Sequence, residues 1–279
     1  MSITAADDIS DLIEHWPEPH RAALSVIGAG KTIGTTGETA RVGNVASLSK
    51  VMVTVAALVA VEDGTLDLDE PAGPPGSTAR HLLAHASGLA FDDNSSIARP
   101  GTRRIYSNAG IEQLAKLLEQ RTAFSIAEYL QEAVFGPLSM RNTSLTGSPA
   151  TDVESSVDDL TLLAHELLTP TLLAEATLAE ATTPQFRDLR GVLPGFGSFD
   201  PNFWGLGFEL KGDKSPHWLA PDSPPTTFGH FGVSGAYLWV DATSDLACVA
   251  MAGVPYGKWA NEAWPLTNQA ITQRFGDRS

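Results

Sequence analysis

Apolar residues recur along this chain at two different periods, and the change of period divides it into three stretches. Ile9, Leu12, Ile13 and Trp16 fall at helical spacing among acidic residues, which predicts an amphipathic helix over 5–16 lying on a flat surface. The segments 22–27 and 31–36 read as strands, joined through Gly28-Ala29-Gly30 as a hairpin. From 44 to 193 the pattern is mostly helical, with runs at 47–61, 79–85, 109–121, 125–134 and 157–168 separated by Pro and Gly. Strand patterns return at 204–210, 226–231, 236–240 and 246–251, and 261–275 closes the chain as a helix. The expected fold is therefore α+β: an antiparallel sheet begun by the N-terminus and finished by the C-terminus, flanked by terminal helices. Residues 1–43 and 194–279 would form the sheet lobe, and 44–193 an inserted helical lobe.

Composition narrows the function classes. With 279 residues, 43% of them hydrophobic, the chain can bury a large core. Its net charge of -15 sets up a field that repels nucleic acid and anionic membrane surfaces alike. The run 51–61 is too short for the roughly 20 residues that cross a bilayer and reads as a buried helix. Asp7, Asp8 and Asp11 stand where a secretory leader needs basic and then apolar residues, which predicts a cytoplasmic protein. The single Cys248 lies in an apolar strand and reads as a small buried hydrophobe.

Three familiar patterns fail on inspection. Gly28-Ala29-Gly30-Lys31-Thr32 ends like a phosphate-binding loop, but Ser25 stands where that pattern requires glycine, and no helix signal follows. His81 and His85 have the i,i+4 spacing of metal ligands, yet Leu82 follows His81 in place of the glutamate of H-E-x-x-H. Gly232-Val233-Ser234-Gly235-Ala236 misses G-x-S-x-G at its fifth residue. No metal or cofactor is expected.

Ser47-Leu48-Ser49-Lys50 fits S-x-x-K. Residues i and i+3 share a helix face, so Lys50 Nζ can reach Ser47 Oγ if Ser47 begins the helix. Burial and the positive helix N-terminus would both disfavour the ammonium and make the lysine a usable base. The same spacing also suits a capping serine with a surface lysine. Tyr106-Ser107-Asn108 precedes the helix at 109–121, and a nearby lysine would favour the phenolate of Tyr106, allowing it to relay a proton. Otherwise it is a packed ring with a capping Asn108. Gly229-His230-Phe231-Gly232-Val233-Ser234-Gly235 ends a strand, and its glycines let a substrate approach the backbone. The amide after Gly232 could join that of Ser47 in an oxyanion hole, while His230 alone also suits a hydrogen-bonded strand end.

Ser47-x-x-Lys50, Tyr106-x-Asn108 and His230-x-Gly232, in that order across the chain, resemble the class C β-lactamase-like serine hydrolase family, which includes D-aminopeptidases, DD-carboxypeptidases, other penicillin-binding proteins and family VIII-type esterases. VEDGTLDL at 61–68, HLLAHASGL at 81–89, Pro100-Gly101, FGPLSM at 135–140 and WGLGF at 204–208 are similar too. The resemblance implies the β-lactamase/transpeptidase-like fold, with the active site in the cleft between the sheet and the helical lobe. It implies Ser47 as acyl-accepting nucleophile, Lys50 and Tyr106 as the acid/base pair, with the principal base open, and Asn108 as a polar contact to substrate. His230 and Gly232 would line the cleft on an edge strand, and the Val233 and Ser47 amides would hold the oxyanion.

One departure bears on the substrate. Members that grip a carboxylate present Lys-Thr-Gly at the third motif, and here His230 and Phe231 replace the cation and the hydroxyl. Only a short link joins Leu89 to Tyr106, which implies an open cleft. The expected partner is a small-molecule acyl substrate, most simply a neutral ester, with weak or no β-lactam turnover; the sequence leaves the oligomeric state open. A D-amino-acid peptidase, a β-lactamase and a non-catalytic penicillin-binding-type module are the alternatives.

Overall fold

The protein is described by a computed structural model covering residues 6–276. Its strands are β1 (Asp7–Asp8), β2 (Ala23–Gly28), β3 (Lys31–Thr36), β4 (Gly43–Asn44), β5 (Ser144–Leu145), β6 (Val153–Ser155), β7 (Gly191–Leu193), β8 (Gly197–Phe199), β9 (Glu209–Leu210), β10 (Phe228–Phe231), β11 (Ala236–Asp241) and β12 (Leu246–Met251). Its α-helices are α1 (Ser49–Glu62), α2 (Ala79–Leu83), α3 (Asn108–Thr122), α4 (Ile126–Leu130), α5 (Val157–Leu168), α6 (Glu175–Ala181) and α7 (Lys258–Phe275).

One seven-stranded sheet, in the order β1-β3-β2-β12-β11-β10-β9, organises the molecule. Every pairing is antiparallel except that of β1 with β3. The central strands are apolar almost without interruption because both faces of the sheet are covered. In β11, Ala236, Leu238 and Val240 point into the larger core with α1 and α5, while Tyr237 and Trp239 point to the other side, against Trp264 and Ile271 of α7. Cys248 is fully buried in β12. The sheet makes the floor on which the site stands.

α1 is buried nearly all round, as its unbroken apolar run requires. Its central position lets residues at its N-terminal end face β10 rather than solvent. Beside it, β4, β6 and β5 form a small separate sheet, and β7 and β8 form a hairpin.

The N-terminal segment departs from the expected helix. Residues 7–8 pair with β3 and a 3-10 turn covers Ser10–Ile13, while residue 5 lies outside the described part. Ile9, Leu12, Ile13 and Trp16 are all buried, so a strand followed by a tight turn satisfies the same apolar spacing. The expected strand at 204–210 shrinks to Glu209–Leu210, with Trp204 joined to Glu209 by an isolated bridge. Among the described residues, no helix is long and apolar enough to cross a membrane.

Candidate active site

Ser47 sits in a single 3-10 turn, Ala46–Leu48, immediately before α1. The turn is pinned at its start, where the Ala46 N–H donates to Asn44 Oδ1 at 2.7 Å. Ala46 itself has φ 48°, a left-handed conformation that costs a non-glycine residue energy and marks the residue beside the serine as strained. Ser47 thus precedes the helix instead of beginning it.

Lys50, the second residue of α1, is fully buried. Its Nζ lies 3.1 Å from Ser47 Oγ and 2.8 Å from the Ala150 carbonyl, which accepts from it. Burial lowers its pKa from 10.5 to about 7, although Asp92 and Glu112 pull in the other direction. A large share of the neutral amine at physiological pH follows.

Tyr106 ends the loop before α3, with the neighbouring Ser107 capping that helix through Oγ and the Gly110 N–H at 3.0 Å. The Tyr106 hydroxyl is hydrogen-bonded to Ser47 and lies 3.3 Å from His230 Nε2, and Lys50 Nζ lies 4.9 Å from the phenol ring centroid. Burial pushes the phenol above its ordinary range, and the Ser47 contact offsets only part of this. The expected phenolate is corrected: desolvation outweighs the lysine, which is itself only about half charged near pH 7.

His230 explains the orientation of that phenol. Its Nδ1 lies 2.8 Å from the Phe231 carbonyl, which can only accept, so Nδ1 carries a proton. Burial lowers the imidazole pKa to about 3, with Lys50 acting in the same direction, so the ring is neutral and Nε2 accepts. Tyr106 therefore donates to His230 and keeps its oxygen lone pairs toward Ser47.

Gly232 follows β10 and lies directly against the serine turn. A Cβ at this position would come within 2.3 Å of the Val45 carbonyl and 3.2 Å of the Ser47 nitrogen, so only glycine permits the approach. Val233, next along, is 65% exposed and lines the same pocket as Ser47. Asn108 Nδ2 donates to Asp92 Oδ1 at 2.7 Å, and its Oδ1 is buried without a hydrogen-bond partner among the described residues.

Ser47, Tyr106, His230 and Val233 are joined on the pocket wall by Phe91, Leu193, Pro194, Trp204, Glu209 and Phe231. The empty space is about 470 Å³, within the range of small-molecule sites, and its walls are mostly aromatic and aliphatic. Lysine and arginine are absent from that lining. Glu209 behind it is bound by Lys214, by His217 Nε2 at 3.0 Å and by Trp218 Nε1 at 3.0 Å. Burial would raise the carboxyl, but His217 and Lys214 more than offset this and hold it at about 2.

Residues not singled out from the sequence complete the site. Pro194-Gly195 turns the β7–β8 hairpin and brings Leu193 and Pro194 to the wall; that Pro-Gly pair is a turn signal in its own right. His85, discounted as a metal ligand, packs its ring 4.7 Å from that of Tyr106.

The β-lactamase family model matches residues 20–270. A β-lactamase from Mycobacterium bovis is 46% identical and superposes with a TM-score of 0.93, over 95% of this chain and 98% of that one. Simvastatin synthase (LovD) from Aspergillus terreus, 16% identical, superposes at 0.76 over 98% of this chain and 100% of its own. EstCE1, a hydrolase with promiscuous acyltransferase activity, is 17% identical and superposes at 0.74 over 90% of this chain and 93% of its own. These last two share the fold. No match was found among curated proteins.

Proposed function

We propose that this chain, which belongs to the β-lactamase family of serine hydrolases, is an esterase that cleaves neutral carboxylic esters through an acyl-enzyme on Ser47. The observation that carries the reading is the buried amine of Lys50, 3.1 Å from Ser47 Oγ and half-neutral near pH 7. In the acylation step the Ser47 O–H gives its proton to Lys50 as Oγ bonds to the substrate carbonyl carbon. The oxyanion lies between the amides of Ser47 and Val233. Tyr106 turns its proton from His230 Nε2 to the departing alkoxide as the C–O bond breaks, and the Lys50 ammonium restores it. Water then repeats the sequence on the acyl-enzyme, releasing the acid and freeing Ser47.

The preference for neutral esters rests on charge. His230 is uncharged, Phe231 offers no hydroxyl, and the lining holds no cation, so a substrate carboxylate would find no grip. The commitment of the Asn108 amide to Asp92 also removes one donor that an amide substrate could use. Within this reading the sheet lobe, 1–43 with 194–279, and the helical lobe, 44–193, form the two walls of the cleft. Likeness to the M. bovis β-lactamase favours weak β-lactam hydrolysis as a second activity.

The test is turnover of p-nitrophenyl acetate and butyrate beside nitrocefin and a D-alanine p-nitroanilide, with a phosphonate ester to trap the nucleophile. Ester turnover far above the other two, and mass added at Ser47, are expected. Stoichiometric acylation without turnover would replace the enzyme by a binding module.

A further inference from the structure

Among the described residues, eight large apolar side chains are exposed, and four of them surround this one opening: Phe91 at 49%, Ile97 at 61%, Val192 at 55% and Val233 at 65%. Apolar surface gathered in one place on a strongly charged protein marks a binding surface. Phe91, Ile97 and Val192 belong to a second depression of about 650 Å³, walled also by Ile105, Tyr106, Pro194, Arg103 and Arg104. It shares Phe91, Tyr106 and Pro194 with the Ser47 pocket, so the two spaces are continuous. They touch the chemistry differently. The Ser47 pocket includes the serine, His230 and Val233, whereas the outer groove reaches the reacting groups only through Tyr106.

The groove is held in shape. The Phe91 carbonyl accepts the N–H groups of Asn108 at 2.7 Å and Ala109 at 3.2 Å, and the Ile97 N–H donates to the Gly88 carbonyl at 2.9 Å. On the opposite wall, Gly191 and Arg104 are bridged, which seats the hairpin carrying Val192. Arg104 offers a ligand nothing, since its guanidinium is spent on the carbonyls of Ala84, Gln185, Phe186 and Asn202. Arg103 is exposed, and its guanidinium offers an apolar chain nothing.

We propose that the outer groove binds the alcohol half of the ester, and that the substrates are esters of a small acid with an extended apolar alcohol. The inference rests on the esterase reading and deepens it. In that reading Tyr106 protonates the departing oxygen, so the leaving group lies on the Tyr106 side, where the groove opens. The acyl half stays in the narrower aromatic pocket against Ser47, with its carbonyl at the Val233 and Ser47 amides. Cleavage adds the elements of water: the acid keeps the new oxygen, and the alcohol leaves with a proton from Tyr106. Phe91, Ile97 and Val192 are all exposed, so the alcohol bound against them stays in contact with solvent.

The test compares two ester series by kcat/KM. Acetates of ethanol, butanol and hexanol lengthen the alcohol; p-nitrophenyl acetate, butyrate, hexanoate and octanoate lengthen the acid. A fully buried methylene is worth about fourfold, so a half-open groove should give about twofold per methylene along the alcohol series. The acid series should fall beyond butyrate. Ile97→Asp and Val192→Asp, both at exposed positions outside the reacting groups, should flatten the alcohol series, with the smallest loss on ethyl acetate. Arg103→Ala should preserve the slope. A flat alcohol series, a rising acid series, a slope untouched by both aspartates or a slope abolished by Arg103→Ala each overturns the groove assignment. Retained activity in Ser47→Ala would instead overturn the esterase mechanism, so the two failures are distinguishable.

Discussion

His85 grips Tyr106 from three directions. Its ring packs 4.7 Å from the phenol ring, its carbonyl accepts the Ile105 N–H at 2.9 Å, and its Nδ1 accepts the Ser107 N–H at 3.2 Å. The residues on both sides of the tyrosine are thus tied to one histidine, which adopts φ 52° to reach them. Burial lowers its pKa well below the ordinary value, with Lys50 and His230 adding to the effect, so it works as a neutral acceptor.

His85→Ala should therefore lower kcat by about 10- to 100-fold with KM nearly unchanged, because a misplaced proton donor damages the transition state more than binding. His85→Asn should recover most of the loss, since asparagine tolerates the left-handed backbone and can offer Oδ1 to Ser107. Steady-state kinetics on one ester decides it. Equal loss in both variants would reduce His85 to a packing residue.

Lys50 carries the pH prediction. With the neutral amine as base, as proposed, kcat/KM should rise about tenfold per pH unit below about pH 7 and level off above it. Asp92 and Glu112 favour the ammonium, so removing one of these charges makes the amine easier to deprotonate. Glu112→Gln should move the acidic limb toward lower pH. A shift toward higher pH would contradict Lys50 as the titrating group.

The same lysine should lower stability. Shifting its pKa from 10.5 to about 7 costs roughly 5 kcal/mol at or below neutral pH, where the unfolded chain carries the proton. Lys50→Met removes that cost but strands the Ala150 carbonyl, so an inactive variant more stable by about 1–3 kcal/mol is expected. Between pH 7 and 10.5 the unfolded state binds more protons, so wild-type stability from this residue rises with pH. The advantage of the methionine variant should shrink across that window in thermal melts. A constant difference would refute the linkage.

Glu209, Lys214 and His217 make a buried charge cluster behind the pocket, and there the sign is reversed. The carboxyl is held at about 2 against an ordinary 4.5, so its stabilisation is present above pH 4.5 and is lost as pH falls toward 2. Glu209→Gln should cost about 3–5 kcal/mol by leaving Lys214 buried without its counter-charge. Adding Lys214→Met should recover part of it. Denaturant midpoints at pH 7 and pH 3 should show a large gap between wild type and Glu209→Gln at the first and roughly half of it or less at the second.

The sequence carried the meeting of Ser47, Lys50, Tyr106 and His230 because each stands beside a strong local signal: an unbroken apolar helix, a capped helix start and a glycine-rich strand end. Central strands such as Leu246–Met251 were legible to the residue, since burial on both faces leaves them continuously apolar. What failed was whatever depends on the surroundings. The spacing of Ile9, Leu12, Ile13 and Trp16 fits a helix and a strand-plus-turn equally well. The protonation of Tyr106 follows from how deeply it is buried, which its neighbours in sequence do not reveal. Phe91, Val192 and Pro194 lie in short exposed segments without a period, so the groove they build is visible only once the hairpin and the loop are folded against each other.

Two serines within three residues allow a last and sharper test. Ser49 is fully buried, with its hydroxyl donating to the Ala46 carbonyl at 2.6 Å and accepting the Val153 N–H at 3.1 Å. It ties the strained turn to β6, so Ser49→Ala should cost about 1–3 kcal/mol of stability by orphaning that amide, with activity largely retained at moderate temperature. Ser47 is partly exposed on the pocket wall, its hydroxyl bonded to Lys50 and Tyr106, so Ser47→Ala should fold with unchanged stability and lose ester turnover by a factor of about 10⁴ or more. Paired melting curves and progress curves separate the two roles. If the inactive variant proved to be the one at 49, the lysine and the phenol would be serving a different oxygen from the one they flank.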